Sequence, residues 1–307
     1  MPYFLARFLM IPPLMLLLSL LAFGLLNLTP SDPAEVAIRL NDLTVTDELI
    51  ELTRQQLGLD QPFLTRYVHW LGQILHGDFG RSFINKKPVL DELLNALPNT
   101  LWLAAVALLL IISISLLLAL LCLLKPYSWL DNSIRFGLFL LSAMPNYWLA
   151  LLLIWWLALQ QNWFPISGMD QPRAIWLPAF TLALAYINTY TRLIRAAMLS
   201  QLQQPYFLYA RARGLRQSML LGHLLRNGLH SSLSALGTSI PKLIAGTVVI
   251  ENIFAWNGVG RLCVEAIFGR DYPMIQGYML LMSLLFLIFN WLADWLQMRL
   301  DPRLKMD

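Results

Sequence analysis

Two pairs of histidines are the first candidates for chemistry in this 307-residue sequence. His69 and His76 lie seven residues apart, as do His223 and His230, so each pair would share one face of a helix. A metal site needs ligands closer together, and no cysteine or carboxylate completes either pair. The sequence motifs of zinc proteases, serine hydrolases and P-loop nucleotide-binding proteins are absent as well. We therefore expect no metal site, no cofactor bound by this chain and no catalytic site.

Aromatic and basic residues cluster between residues 204 and 214. Pro205 suits the first position of a helix, and Gly214 suits the left-handed residue that follows a last helical turn. Such a short helix can dock on a soluble partner or lie on anionic lipid, and composition leaves both readings open. The side chains that it would present are Tyr206, Phe207, Tyr209, Ala210, Arg211 and Arg213.

Polar residues and prolines inside apolar segments are candidates for a solute pathway. A proline within a span frees backbone carbonyl groups, and these can face the path. The candidates are Ser142, Pro145, Asn146, Asn188 and Lys242. The alternative is that Pro145 only kinks a packed helix, and the same alternative holds for Pro241 beside Lys242.

The composition is that of a membrane protein, with 58% hydrophobic and only 13% charged residues. Charged residues are clustered, as expected if the bilayer excludes them from the spanning segments. The net charge of +4 reflects basic cytoplasmic loops better than nucleic-acid binding. Cys122 and Cys263 lie far apart in the sequence, so we expect two unpaired thiols.

Six apolar segments are long enough to cross a bilayer, which predicts an all-α membrane protein with six transmembrane helices. The first is read as a retained helix and not as a cleaved signal peptide, because its apolar run is too long. The expected spans are 8–28, 101–124, 136–159, 174–191, 229–254 and 274–293.

Arginines set the expected orientation. The loop between the fourth and fifth spans carries six arginines, and residues 171–250 contain no Asp or Glu. The positive-inside rule places this loop in the cytoplasm, and counting spans then places both termini there. The loop after the first span would be periplasmic and partly helical, with one helix from Thr46 to Gly58 and another from Pro62 to Gly77.

Tyr209-Ala-Arg-Ala-Arg-Gly-Leu215, followed by His223-Leu-Leu-Arg-Asn227, resembles the cytoplasmic coupling motif of ABC importer permeases. Gly214 matches the glycine of that motif, and Leu208 stands where many members have an acid. Further motifs of the dipeptide, oligopeptide and nickel branch follow the chain in order, with Asn257 replacing a usual proline. They include Gly77-Asp-Phe-Gly-Arg-Ser-Phe83, Leu97-Pro-Asn-Thr-Leu101, Met144-Pro-Asn-Tyr-Trp-Leu-Ala150, Val249-Ile-Glu-Asn-Ile-Phe254, Arg270-Asp-Tyr-Pro273 and Asp301-Pro-Arg303.

The resemblance implies a type I ABC importer permease fold in the bacterial inner membrane. It implies residues 1–98 as first span and periplasmic loop, and residues 99–307 as a five-helix core with a coupling loop at about 195–228. The implied partners are a second homologous permease, two ATPase subunits, which bind ATP and Mg²⁺, and an extracytoplasmic solute-binding protein. The implied coupling residues are Tyr209, Ala210, Arg211, Ala212, Arg213, Gly214, Arg226 and Asn227.

The details within this branch favour the nickel-import permease subunit, with nickel carried free or as a metallophore chelate. The similar segments are 38–44, 87–91 and 268–276. The same machinery importing dipeptides or oligopeptides stays open. An ion-coupled carrier or a channel is a different class, and the lack of charged residues in the second and third spans argues against a carrier.

Overall fold

The computed structural model describes residues 8–28, 32–40 and 44–300, without the side chains of residues 230–238, 296, 297, 299 and 300. This described part of the chain is helical and forms no β-sheet. The Asp301-Pro-Arg303 motif and the side chain of His230 lie outside the described residues. The helices are α1 (Ile11–Asn27), α2 (Pro33–Arg39), α3 (Asp47–Gln56), α4 (Phe63–Leu75), α5 (Val89–Leu124), α6 (Trp129–Ala143), α7 (Asn146–Leu153), α8 (Trp176–Leu202), α9 (Pro205–Ala212), α10 (Gln217–Ile253), α11 (Val259–Phe268) and α12 (Tyr272–Leu300).

The chain divides into two compact units. The first contains the described residues up to 99 together with 257–287, and the second contains residues 100–256 and 288–300. The core of the first unit joins the start of α5 to α11 and α12. Its buried residues are Val89, Leu93, Ala96, Val259, Ala266 and Met274.

The second unit contains the rest of α5 and helices α6 to α10. Helices α8 and α10 run antiparallel, since a Cβ at Gly228 would lie 3.1 Å from Met198 Cγ and one at Gly246 would lie 3.4 Å from Leu182 Cδ1. Small residues at these two points let the helix backbones approach closely, as is common between membrane helices.

Two of the described helices are long and apolar enough to cross a membrane, over Val89–Leu124 and Tyr272–Trp295. The bent pair formed by α6 and the segment Asn146–Gln160 would make a third. Helix α1 is apolar but has 17 residues, at the lower limit for a span. The six-span topology therefore stays a prediction.

The third expected span is not one helix. Helix α6 ends at Ala143, α7 begins at Asn146, and the two are bent by 104°. The cause is Pro145, because a residue before proline avoids the helical region, and Met144 has an extended ψ of 137°. After α7, the chain continues as a π-helix over Ile154–Gln160.

At three ends the helices extend beyond the apolar segments expected to cross the bilayer. Helix α5 begins at Val89 and not near residue 101, because Asp91 and Glu92 favour a helix N-terminus and Val89 packs in the first unit's core. Helix α8 continues to Leu202, and α10 already begins at Gln217. The non-helical parts of the expected coupling loop are thus short, and they flank α9.

The two helices expected after the first span are present. The Thr46 hydroxyl accepts a hydrogen bond from the Leu49 amide and caps α3, and Gly58 follows this helix with a φ of +64°. Helix α4 is followed by Gly77, whose φ is +83°. Local chemistry alone sets these ends.

Candidate functional site

Helix α9 is a single short element between α8 and α10. Pro205 occupies its first turn, and Gly214 follows it with a φ of +73°. The amide of Gly214 donates to the Arg211 carbonyl, and the amide of Leu215 donates to the Ala210 carbonyl. This pair of bonds is the Schellman arrangement, which requires a left-handed residue at the position of Gly214.

The buried side chain of Phe207 packs α9 against the neighbouring helices of the second unit. Phe207 is 8% exposed and packs in a cluster at the ends of α5, α8 and α10. Its buried partners are Ala119, Ile194, Met198 and Leu224. The expectation that Phe207 is presented outward is therefore wrong, because the only large apolar side chain on this face of the helix fills the cluster.

The opposite face of α9 is open. Leu208 is 55% and Tyr209 66% exposed, and Ala212 is exposed as well, while Ala210 is half-buried. The exposed Arg211 and Arg213 lie beside this face, and the Arg213 guanidinium carbon lies 5.7 Å from the centre of the Tyr209 ring. The face combines an aromatic ring, an apolar side chain, a small residue and two cations, a composition common at protein interfaces.

Arg226 and Asn227, the other two coupling candidates, lie within α10 and are both exposed. They belong to the helix that follows α9, not to a loop. The next residue, Gly228, is buried against α8, where an added Cβ would lie 3.4 Å from Met198 Cα. Sequence reasoning did not single out Gly228, because only the packing of α8 on α10 creates this constraint.

A buried ion pair connects the start of α6 to α8. Asp131 is fully buried and accepts from both Nε and Nη2 of Arg195, with the Nε contact at 2.9 Å. The backbone amide of Tyr127 also donates to this carboxylate at 2.9 Å, and the Arg195 guanidinium carbon lies 5.5 Å from the Tyr127 ring centre. Sequence reasoning missed the pair, since its members are 64 residues apart.

Two of the pathway candidates meet at the bend between α6 and α7. The amide nitrogen of Asn188 donates to the Ser142 hydroxyl at 2.8 Å, and the hydroxyl donates to the Phe139 carbonyl at 2.9 Å. Asn188 is 9% exposed, whereas Ser142 is exposed. Pro145 and Asn146 lie in the bend itself, as the last residue before α7 and its first residue.

Lys242 meets α8 through its backbone. Its side chain is exposed, and its backbone carbonyl accepts a 3.1 Å hydrogen bond from the Tyr186 hydroxyl of α8. Pro241 is buried inside α10 without ending the helix.

Within the described residues, no group of three or more His, Cys, Asp or Glu side chains could hold a metal ion. Cys122 and Cys263 are both free and buried. At Asn257, which replaces a usual proline, the backbone carbonyl accepts from the Asn99 side chain and the side-chain oxygen accepts from Arg261.

Residues 111–306 match the family described as "Binding-protein-dependent transport system inner membrane component", and residues 1–104 match its N-terminal counterpart. The metal-staphylopine import system permease protein CntB of Staphylococcus aureus is 37% identical, covering 99% of this chain and 98% of that protein. The oligopeptide transport system permease protein AppB of Bacillus subtilis is 36% identical, covering 99% of each chain.

A solved structure shares the fold. The crystal structure of an amino acid ABC transporter with histidines matches 69% of this chain and 94% of its own, with a TM-score of 0.51 and 17% identity. The matches to the family and to its named permeases cover nearly the whole sequence. The chain therefore belongs to the binding-protein-dependent transport system inner membrane component family and is a permease subunit of an ABC import system.

Proposed function

We propose that this permease imports nickel, free or chelated by a small metallophore, across the bacterial inner membrane. The observation that carries the proposal of a metal cargo is the 37% identity to a metal-staphylopine permease over almost the full length of both chains. Sequence segments near residues 38–44, 87–91 and 268–276 favour the same substrate.

Dipeptides or oligopeptides are the second candidate cargo. Their support is the 36% identity to the oligopeptide permease AppB and the 34% identity to the glutathione transport system permease protein GsiC of Pectobacterium atrosepticum. Selectivity would reside mainly in the solute-binding protein that delivers the cargo. The described residues of this chain place no metal-ligand cluster that would select nickel by itself.

The proposed assembly contains this chain, a second homologous permease, two ATPase subunits and an extracytoplasmic solute-binding protein. Both termini of this chain face the cytoplasm, as the arginines of residues 192–226 favour. The exposed face of α9, with Leu208, Tyr209 and Ala212, docks on an ATPase subunit. Support comes from its composition and from the buried Phe207 that holds the opposite face.

The proposed mechanism is alternating access driven by ATP. ATP binding closes the two ATPases, and their movement is transmitted through α9 to α8 and α10, where Phe207 is seated. Transmission requires that the ATPases bind one permease conformation more tightly than the other. Arg226 and Asn227 brace the segment of α10 that follows.

The proposed path for solute passes the bend between α6 and α7. Ser142 and Asn188 are hydrogen-bonded there, beside the proline and the asparagine of the bend. Lys242 is the least supported pathway residue, because its side chain shares no described contact with this group.

The experiment is uptake of radiolabelled nickel, free and chelated, by cells that express the complete transport system with or without this subunit. Uptake that needs the subunit and is unchanged by excess dipeptide supports the metal. Peptide uptake without nickel uptake would overturn the choice of cargo and leave the permease assignment intact. The control is the same system with the P-loop lysine of its ATPase subunits substituted. Uptake should then be lost, whereas an ion-coupled carrier or a channel would still transport the solute.

A further inference from the structure

Helix α4 packs across α1, close to the end of the first expected span. The Phe23 ring of α1 lies 5.5 Å from Phe63, 5.7 Å from Tyr67 and 5.2 Å from Trp70, measured between ring centres. Phe23 is four residues before Asn27, so at a rise of about 1.5 Å per residue the crossing lies about 6 Å below the end of α1. If the end of α1 marks the bilayer surface, the crossing falls within the about 5–10 Å at which amphipathic helices lie in the membrane interface.

Polar contacts place individual α4 side chains at two depths. The Tyr67 hydroxyl donates to the Leu16 carbonyl at 3.2 Å and lies 2.8 Å from the Ser19 hydroxyl, farther along α1 from Asn27 than the ring of Phe23. In the opposite direction, Arg66 Nη2 donates to the Asn27 side chain at 2.6 Å. A cation that reaches out to the end of a span while its neighbour's hydroxyl bonds deeper is the snorkelling expected at a membrane surface.

The remaining surface of α4 has one apolar and one polar face. Leu64, Val68 and Leu75 are 68%, 65% and 78% exposed, and their spacing puts them on the same side of the helix, next to the side that packs on Phe23. The polar and exposed Thr65, His69 and Gln73 lie on the other side.

The apolar face of α1 is exposed in the same way. Leu14, Leu17, Leu21 and Leu25 form a stripe along this helix and are 41%, 52%, 52% and 58% exposed. Lipid is the occupant expected on such a stripe if α1 crosses the bilayer, because a spanning helix meets hydrocarbon wherever protein does not cover it.

We infer that α4 lies in the membrane interface, with Leu64, Val68 and Leu75 in contact with lipid acyl chains. The sequence predicted only that this helix belongs to a periplasmic, partly helical loop. The leucine stripe of α1 lies on the side of that helix opposite Phe23, so it marks the expected span and is not continuous with the apolar face of α4. Thr65 and His69 face the headgroups and water. The inference rests on α1 crossing the bilayer and is independent of the cargo.

The test is spin-label accessibility in the complete transporter reconstituted in nanodiscs, with oxygen as the collider that enters lipid and chromium oxalate as the collider that stays in water. Labels are placed singly at Leu64→Cys, Val68→Cys and Leu75→Cys on the apolar face, and at Thr65→Cys and His69→Cys as matched controls on the same helix. Leu17→Cys on α1 is the reference for lipid, and the parent protein measures background from its two buried cysteines.

We expect the ratio of oxygen to chromium oxalate collisions to be several-fold higher at the three apolar positions than at the two controls, and close to that at Leu17→Cys. Equal collision ratios on both faces of α4, together with a high ratio at Leu17→Cys, would overturn the lipid contact of α4 but not the first span. Low collision with both reagents at Leu64, Val68 and Leu75 would show a protein partner on this face and would also overturn it. An aqueous value at Leu17→Cys would refute the first span as well.

A second measurement needs no substitution. A phospholipid with a photoactivatable diazirine in its acyl chain is incorporated around the unmodified complex, and labelled peptides are mapped by mass spectrometry. Label on the peptide covering residues 63–75 supports the inference. Label on the α1 peptide with none on residues 63–75 contradicts it.

Discussion

Phe207→Ala tests whether one buried ring holds α9 in place. The ring is 8% exposed within its cluster, and replacing such a Phe by Ala costs about 3–5 kcal/mol. A helix of eight residues is too short to be stable by itself, so this loss falls on the docking of α9. Because about 1.4 kcal/mol corresponds to a factor of ten, undocking should become roughly 100- to 4,000-fold more frequent.

The assay is hydrogen exchange, followed by mass spectrometry, on the purified permease without its ATPase partners. Amides of residues 208–215 should exchange much faster in Phe207→Ala than in the parent, while α8 changes little. The matched control is Leu208→Ala on the same helix. Its side chain is 55% exposed, so the change in stability should be within about 0.5 kcal/mol. Equal exchange in the two variants would refute the anchoring role of Phe207.

Three further predictions concern buried groups elsewhere. Arg195→Met leaves the buried Asp131 carboxylate without its cation, so it should lower the free energy of unfolding by about 3–5 kcal/mol. The double variant that also carries Asp131→Leu should recover part of this loss in thermal unfolding. Equal losses in the single and double variants would contradict the pairing. Gly228→Ala should lower the unfolding temperature, because the new Cβ would lie 3.1 Å from Met198 Cγ of α8. Gly222→Ala should raise it slightly, because nothing lies within 4 Å of its new Cβ and alanine favours a helix. Equal changes of unfolding temperature in the two variants would argue against the close approach of α8 and α10. Burial raises the pKa of the Cys263 thiol to about 11, so a thiol-specific methanethiosulfonate should label it slowly at pH 8 and faster as the pH rises. Rapid labelling at pH 8 would count against its burial.

Sequence reasoning predicted the parts of this protein that depend on neighbouring residues. Pro205 and Gly214 gave the two ends of α9, and Thr46 and Gly58 gave those of α3, because capping needs only contacts within one turn. Pro145 indicated the interruption of the third span, but not the size of the bend.

The contacts that position the site depend on which helices pack together, and periodicity does not contain that information. The inward direction of Phe207 follows from the cluster that it meets, and the pairing of Asp131 with Arg195 joins two helices distant in sequence. The lengths of α8 and α10 were underestimated as well, because the prediction counted only apolar residues. The polar ends of both helices continue beyond the apolar segments. The hydrogen bond between Ser142 and Asn188 joins two residues that had been proposed separately.

The central claim is that α9 couples ATP hydrolysis to import, and Gly214→Asp in the complete reconstituted transporter tests it most directly. A side chain at a φ of +73° strains the turn that follows α9, although no atom lies within 4 Å of the added Cβ. Gly222→Asp adds the same charge in an exposed part of α10 and serves as the control. We predict that Gly214→Asp stays in the membrane and hydrolyses ATP but loses uptake, while the control retains both. Full uptake by Gly214→Asp would contradict the placement of the coupling helix.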